Sequence, residues 1–300
     1  MSPEAFREHG HALVDWLADY MTSLPERNVL HEAEPGSIKA QLPVSPPQTG
    51  ETMSAMMQDV ERILLPGITH WQHPGWFAFF PANATGPSIL GELLSAGLGV
   101  QGMLWDTSPA ATELEERVMD WLVDLLGLPA AWRNDTGPGG GVIQSTASDA
   151  THTALVVARH RSVRRGAETS RLVVYASSQA HSSVEKGARV AGFEHVRLLD
   201  VDDAFALRPE ALEQAIAEDR AAGLMPCVVI SAVGATGTGA VDPVARVARI
   251  AAGTLKSPRV VSAACSASSC SSCLLLSLFS SSLSAHACMY LYFRSIHSFQ

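Results

Sequence analysis

Three hundred residues, 47% of them hydrophobic and 17% charged, make a chain with enough apolar material for a large core and exclude a disordered or fibrous one. A formal charge of -9 argues against nucleic acid as a partner, because such binders present a basic face to the phosphates. These averages conceal a break near residue 252: all thirty acidic residues precede it, and fourteen of the last forty-eight residues are Ser.

In chain order, Phe6, Leu13, Leu17 and Tyr20 recur at helical spacing, with Val14 and Met21 widening the stripe, so residues 3 to 22 are expected to form an amphipathic helix. Residues 25 to 50 are rich in Pro, Gly and polar side chains and are expected to be an extended connection. Met53 to Leu65 returns to helix and is stopped by Pro66-Gly67. His70 to Pro81 is aromatic without helical period, as core filling would be. His70 and His73 have no nearby Asp, Glu or Cys to complete a metal site and are expected to be hydrogen-bonded structural histidines. Ser108-Pro109 opens another helix, with Leu114, Val118, Trp121, Leu122 and Leu125 on one face. Glu113, Glu115 and Glu116 fall in its first turns and are expected to be solvated acids favoured by the helix dipole.

From Gly141 the pattern alternates. Leu172 to Tyr175, Val196 to Leu199 and Cys227 to Val233 are expected to be buried strands, separated by helices over Ser183 to Ala191 and Pro209 to Ala222. Repeated βα units imply an α/β fold with a mostly parallel sheet covered by helices. Within this part, Gly139-Gly140-Gly141 leads through Val142-Ile143 to Ser145, Thr146 and Ser148 at the head of a helical pattern. A helix start of this kind offers unpaired N–H groups and the positive end of a dipole to an anion, although plain loop chemistry gives the same local pattern. His181, ahead of the next helix, is on local pattern a capping or surface histidine.

Five segments decide between these readings: THWQHPGWFAFFPAN (69–83), SPAATELEERVMDWL (108–122), GGGVIQSTASDA (139–150), QAHSSVEKGARVAG (179–192) and SAVGATGTGAVDPV (231–244). In order and spacing they resemble the pyridoxal-phosphate-dependent group II decarboxylases, closest to the aromatic-L-amino-acid decarboxylases, over about residues 3–252. The resemblance implies a type I, aspartate-aminotransferase-like transferase fold. It implies the cofactor pyridoxal 5'-phosphate and decarboxylation of an aromatic L-amino acid to its amine by a homodimer in the cytoplasm. It also implies roles for particular residues: Ala147 and Ser148 on the phosphate, His181 over the pyridine ring and in placing a proton, and Thr236 on the cofactor. Phe79, Phe80 and Ala82 would form the wall beside the substrate ring, and no metal is implied.

The family also uses an acid for the ring nitrogen and a lysine that anchors the cofactor, in motifs of the type HVDAA and NPHK. Neither string occurs, and Lys39, Lys186 and Lys256 are the only lysines. Three readings therefore stay open: a family enzyme acting on an aromatic L-amino acid; a catalytically inactive fragment or isoform acting at most as a dimerisation partner; or the same fold with a changed reaction, since the family resembled includes oxidative aldehyde-forming enzymes and decarboxylases of non-aromatic substrates. The expected organisation is an N-terminal helical and extended dimerisation segment (1–84), a partial cofactor-binding large domain with an incomplete sheet (85–252), and a low-complexity tail outside the family fold (253–300). The tail is expected to carry neither zinc nor a disulfide framework. Its Ser content keeps it below the hydropathy of a membrane span, so membrane insertion is not expected. Cys227 alone among the cysteines precedes the tail and is expected to be a buried small hydrophobe.

Overall fold

Ser2 starts the first helix by accepting a hydrogen bond from the Ala5 N–H at 3.2 Å, and Pro3 occupies the first helical position, where its missing N–H costs nothing. This helix, α1 (Pro3–Ser23), follows the expected amphipathic period but buries none of its residues fully. Its aromatic side chains instead tie down the segment that follows. The Trp16 indole donates to Glu61 at 2.8 Å, Trp16 stacks on Tyr20, and the Tyr20 hydroxyl meets His70 Nδ1 at 2.8 Å. A guanidinium from Arg27 lies over the Tyr20 ring.

The helix expected over 53–65 divides. α2 (Met53–Asp59) is capped by Thr52, and the chain then widens into a π-helical turn (Val60–Leu64) and a 3₁₀ turn (Leu65–Gly67) in which Pro66 has no N–H to continue a ladder. This computed structural model describes residues 1–79, 84–137 and 139–254, together with the backbone of three later strands. Met1–Ala82 forms one compact unit and Asn83–Gln300 another.

The second unit opens with α3 (Gly86–Leu98), held by a Thr85–Ser88 capping box and ended by Gly99 in the left-handed conformation. α4 (Pro109–Leu125) begins at the expected Ser108 cap and turns Met119, Leu122 and Val123 into the core. Next come β1 (Val142–Gln144), α5 (Ala147–Arg164), β2 (Leu172–Ser177), α6 (Ser182–Val190), β3 (His195–Leu199), α7 (Pro209–Ala221), β4 (Met225–Ala232) and α8 (Val244–Thr254).

β2 reads as an unbroken apolar run because both its faces are covered. Val174 and Ala176 join a cluster with Ala150, Ala154, Leu155 and Val184 from α5 and α6, whereas Val173 and Tyr175 join Leu212, Ile216 and Val247 from α7 and α8. On that second face the Tyr175 hydroxyl donates to buried Asp219 at 2.9 Å, and Arg197 donates to the same carboxylate at 3.1 Å, tying α7 to β2 and β3. Cys227 is buried as expected, with its thiol 3.2 Å from the Ser162 hydroxyl.

The composition break leads one to expect no regular element after residue 252. Yet β5 (Arg259–Ala263), β6 (Cys273–Leu275) and β7 (His286–Leu291) extend the sheet to seven strands in the order β1-β6-β7-β5-β4-β2-β3. Ladder pairing uses main-chain groups, which a Ser-rich stretch possesses as fully as any other, and β4 offers an edge to pair with. Among the described residues every strand runs in the same direction except β6, which is antiparallel to both neighbours. β2 therefore has β3 on one side and β4 on the other, and the winding reverses between β2 and β4. The carboxyl ends of the strands at such a reversal are where open α/β sheets place their ligands.

Candidate functional site

Three segments expected to carry chemistry lie on the carboxyl side of the sheet: the β2–α6 turn and the loop after β4 at the reversal, and the β1–α5 turn at the far edge strand, with β6, β7 and β5 between. In the first, Thr146 rather than Ser145 or Ser148 is the cap. Its hydroxyl accepts from the Asp149 N–H at 3.0 Å and meets the Asp149 carboxylate at 2.9 Å. Ala147 and Ser148 follow as the first two helical residues. Their N–H groups have no acceptor among the described residues, so two donors at the positive end of an 18-residue helix remain for an anion. This is the observation by which the chain fits a phosphate-bearing cofactor.

The glycines ahead of this turn serve the packing of the loop itself. Glycine lets another group come close to the main chain, and here what approaches is the chain itself. A Cβ on Gly137 would stand 2.5 Å from the Ala131 carbonyl oxygen, one on Gly139 2.6 Å from the same atom, and one on Gly140 2.5 Å from Asn134 Oδ1. Asn134 is itself pinned by its N–H to buried Asp120 at 2.6 Å. The run is thus packed against the 130–134 turn and fixes the level at which β1 enters.

Glu115 was expected to be solvated. Instead it accepts from the Ile143 N–H at 2.7 Å, and Glu113 accepts from the Trp105 indole at 2.8 Å. A short edge strand leaves main-chain donors on its outer side to be satisfied, and a carboxylate on the facing helix supplies the acceptor. Glu115 thereby positions β1, and through it the α5 turn. No sequence signal separated it from its neighbours Glu113 and Glu116, because only the fold places α4 against β1.

His181 is the cap of α6: its Nδ1 accepts from the Ser183 N–H at 3.2 Å and meets the Ser183 hydroxyl at 2.9 Å. With Nδ1 accepting, the neutral ring carries its proton on Nε2. Burial, then the Lys186 charge, hold its pKa below the ordinary 6.5, so the imidazole is neutral at neutral pH. Capping and a cofactor role are compatible here, because capping occupies Nδ1 and leaves the Nε2 edge. α6 lies against α5 through Gly187, where a Cβ would meet Leu155 at 3.4 Å and the His152 Cα at 3.7 Å.

Thr236 sits in a loop closed on itself. Gly234 and Ala235 donate to the Ala240 carbonyl, Gly239 donates to the Ala235 carbonyl at 2.7 Å, and Gly234 and Gly239 take the positive φ that the two bends require. At its base, buried Asp242 accepts from the Ala232 N–H at 2.7 Å and from the Leu207 N–H at 2.8 Å. Ala147, Ser148, His181 and Thr236 thus lie on the carboxyl side of one sheet.

In the first unit, Phe79 packs with Trp71 and Trp76 at ring-centroid distances of 5.8 and 6.3 Å, and it holds a positive φ of 56°. Phe80 and Ala82 lie outside the described residues. His70 and His73 are both hydrogen-bonded, His73 Nδ1 accepting from the Gly75 N–H at 2.8 Å. Among the described residues no helix is long and apolar enough to cross a membrane.

With this geometry in place, comparison with known proteins gives a consistent result. A family model described as the pyridoxal-dependent decarboxylase conserved domain matches residues 35–260. Phenylacetaldehyde synthase of Arabidopsis thaliana is 44% identical over 251 residues, which is 82% of this chain and 51% of the relative. Histidine decarboxylase of Homo sapiens is 42% identical over 254 residues, 81% of this chain and 38% of the relative. The crystal structure of Catharanthus roseus tryptophan decarboxylase in complex with L-tryptophan superposes with a TM-score of 0.82 at 36% identity, covering 87% of this chain and 57% of that one. The chain spans about half the length of the curated relatives it matches.

The His181 environment makes a prediction about pH. In the window below 6.5 the unfolded chain takes up a proton that the folded ring refuses, so this residue's contribution to stability is complete above 6.5 and is lost as pH falls through the folded value. A two-dimensional NMR titration should give His181 a midpoint below 6.5; a midpoint at or above it would contradict the burial.

Proposed function

Because this chain belongs to the pyridoxal-dependent decarboxylases, we propose that its α5 turn, His181 and Thr236 form the cofactor-holding face of a site for decarboxylating an aromatic L-amino acid to its amine. The observation that carries this is the pair of main-chain donors at Ala147 and Ser148, unsatisfied within the described residues at the sheet's carboxyl edge. Pyridoxal 5'-phosphate, when bound, supplies the electron sink that makes loss of carbon dioxide from Cα accessible.

The chain's own residues then have separable tasks. The Ala147 and Ser148 N–H groups and the α5 dipole hold the phosphate, with the Ser148 hydroxyl as a further donor. His181, neutral and locked by its cap, would stack on the ring, with its Nε2 proton not taken up by the cap. Thr236 adds a hydroxyl contact from a loop whose closure fixes its position. Phe79, Phe80 and Ala82, the last two outside the described residues, are proposed as substrate residues, apolar side chains of the kind on which an aromatic ring packs.

Neither an acid for the ring nitrogen nor an anchoring lysine stands in the family's context among these 300 residues. The second reading is a catalytically inactive fragment or isoform that acts at most as a dimerisation partner. The assembly we propose is a homodimer, with residues 1–84 as part of its contact and α3 as another. Leu90, Leu93, Leu94 and Leu98 recur along α3 and all are more than half exposed, an apolar stripe that water covers poorly. The acidic chain, with Cys227 as a buried free thiol, suits the cytoplasm.

Ala147→Pro tests the phosphate contact cleanly, since proline at the first helical position removes one N–H and leaves the helix intact. Equilibrium dialysis should show cofactor affinity reduced about tenfold with little change in Tm; unchanged affinity would refute the placement. Carbon dioxide release from a panel of Trp, Tyr, dihydroxyphenylalanine, His and Glu separates these readings. Release from an aromatic member supports the enzyme, release from Glu alone defeats the aromatic assignment, and none with any substrate supports the non-catalytic chain. Leu94→Asp should shift sedimentation from dimer to monomer, and a wild-type monomer would contradict the proposed contact.

A further inference from the structure

At the opposite, amino edge of the same sheet, a cavity of about 490 Å³ opens between the end of α5, the start of β2 and the α7–β4 turn. Its floor is apolar, with Leu172, Leu224, Met225 and Cys227, and its rim carries Arg165, Arg171 and Arg220. This volume lies in the range of small-molecule sites, and an apolar floor with a few convergent polar groups is their usual composition.

The three arginines are not equivalent. Arg171 directs its fork onto the Gly223 carbonyl, through Nε at 2.7 Å, and so serves as a fixed wall. Arg165 and Arg220 have no carboxylate or carbonyl acceptor for their side chains among the described residues, although thirty acidic residues precede position 253. Each also stands at a helix C-terminus, Arg165 capping α5 and Arg220 in the last turn of α7, where the dipole favours a cation. The carbonyl ends of two helices and the nearby Glu168 carboxylate weigh against a dianion and leave room for a single negative charge. Burial pushes the Cys227 thiol up to about 11, so the floor stays protonated, uncharged and unreactive at neutral pH.

We propose that this cavity binds a small organic monocarboxylate, its head between Arg165 and Arg220 and its apolar body on Leu224, Met225 and Cys227. The site is separate from the cofactor edge: α5 runs between the two, and an 18-residue helix is about 27 Å long. It is independent of the reaction proposed above and uses none of its residues.

The test uses the full chain with methionine methyl groups labelled with carbon-13 and 4-phenylbutyrate as the probe, at low salt because exposed guanidinium charges are screened. The Met225 methyl signal should shift saturably with the carboxylate and much less with the uncharged 4-phenylbutyramide. Arg165→Gln with Arg220→Gln should weaken binding about tenfold, as loss of charge-assisted hydrogen bonds would. Three results would overturn the proposal: no movement of the Met225 signal, equal response to acid and amide, or a folded double variant that binds as well as the unaltered chain. The amide comparison is made on the unaltered chain, so it decides even where the double variant fails to fold.

Discussion

Two main-chain N–H groups, those of Ala147 and Ser148, stand at the head of α5 without an acceptor among the described residues, and much of the second unit holds them at the sheet's carboxyl edge. A helix cannot satisfy its own first donors, so a start left open in this way is either solvated or reserved for an anion. The level of the turn is set from three directions. Gly137 and Gly139 press against the Ala131 carbonyl, Glu115 takes the Ile143 N–H, and Ala150, Ala154 and Leu155 bury the inner face of α5 against β2 and β4. Shifting any of these supports would move the donors relative to His181 and Thr236, which belong to separate turns of the same edge.

The architecture was largely legible because its elements carry strong local signals. β2 and β4 are continuous apolar runs, as strands covered on both faces must be, and α4 and α7 begin at Ser108-Pro109 and Pro209 as capping chemistry dictates. The α2 region was less legible. Its periodicity extends to Leu65, but the main chain leaves α geometry at Val60, a change of hydrogen-bond span that side-chain spacing does not record. The strands beyond residue 258 were not legible at all, since edge pairing is made by backbone groups and leaves no compositional mark.

The site was legible in its residues and less so in its reasons. The glycine run carries no local mark of what comes close to it; the contact it permits is with the 130–134 turn, and that neighbour is known only once the fold is known. His181 reads locally as a helix cap and is one; what the structure adds is that capping consumes Nδ1, fixes the tautomer and leaves Nε2 for other work. Glu115 looked like one of three solvated acids until α4 was placed against β1. In each case the missing information was a tertiary neighbour, not a property of the residue.

The most direct measurement is the amide NMR spectrum of the chain, labelled with nitrogen-15, as pyridoxal 5'-phosphate is added. A phosphate received by the α5 turn will shift the Ala147 and Ser148 amide signals first and most, because charge-assisted hydrogen bonds strongly deshield the donated proton. Saturable binding that leaves those two signals in place, with the largest shifts elsewhere, would contradict the claim that this helix start is the cofactor's anchor point.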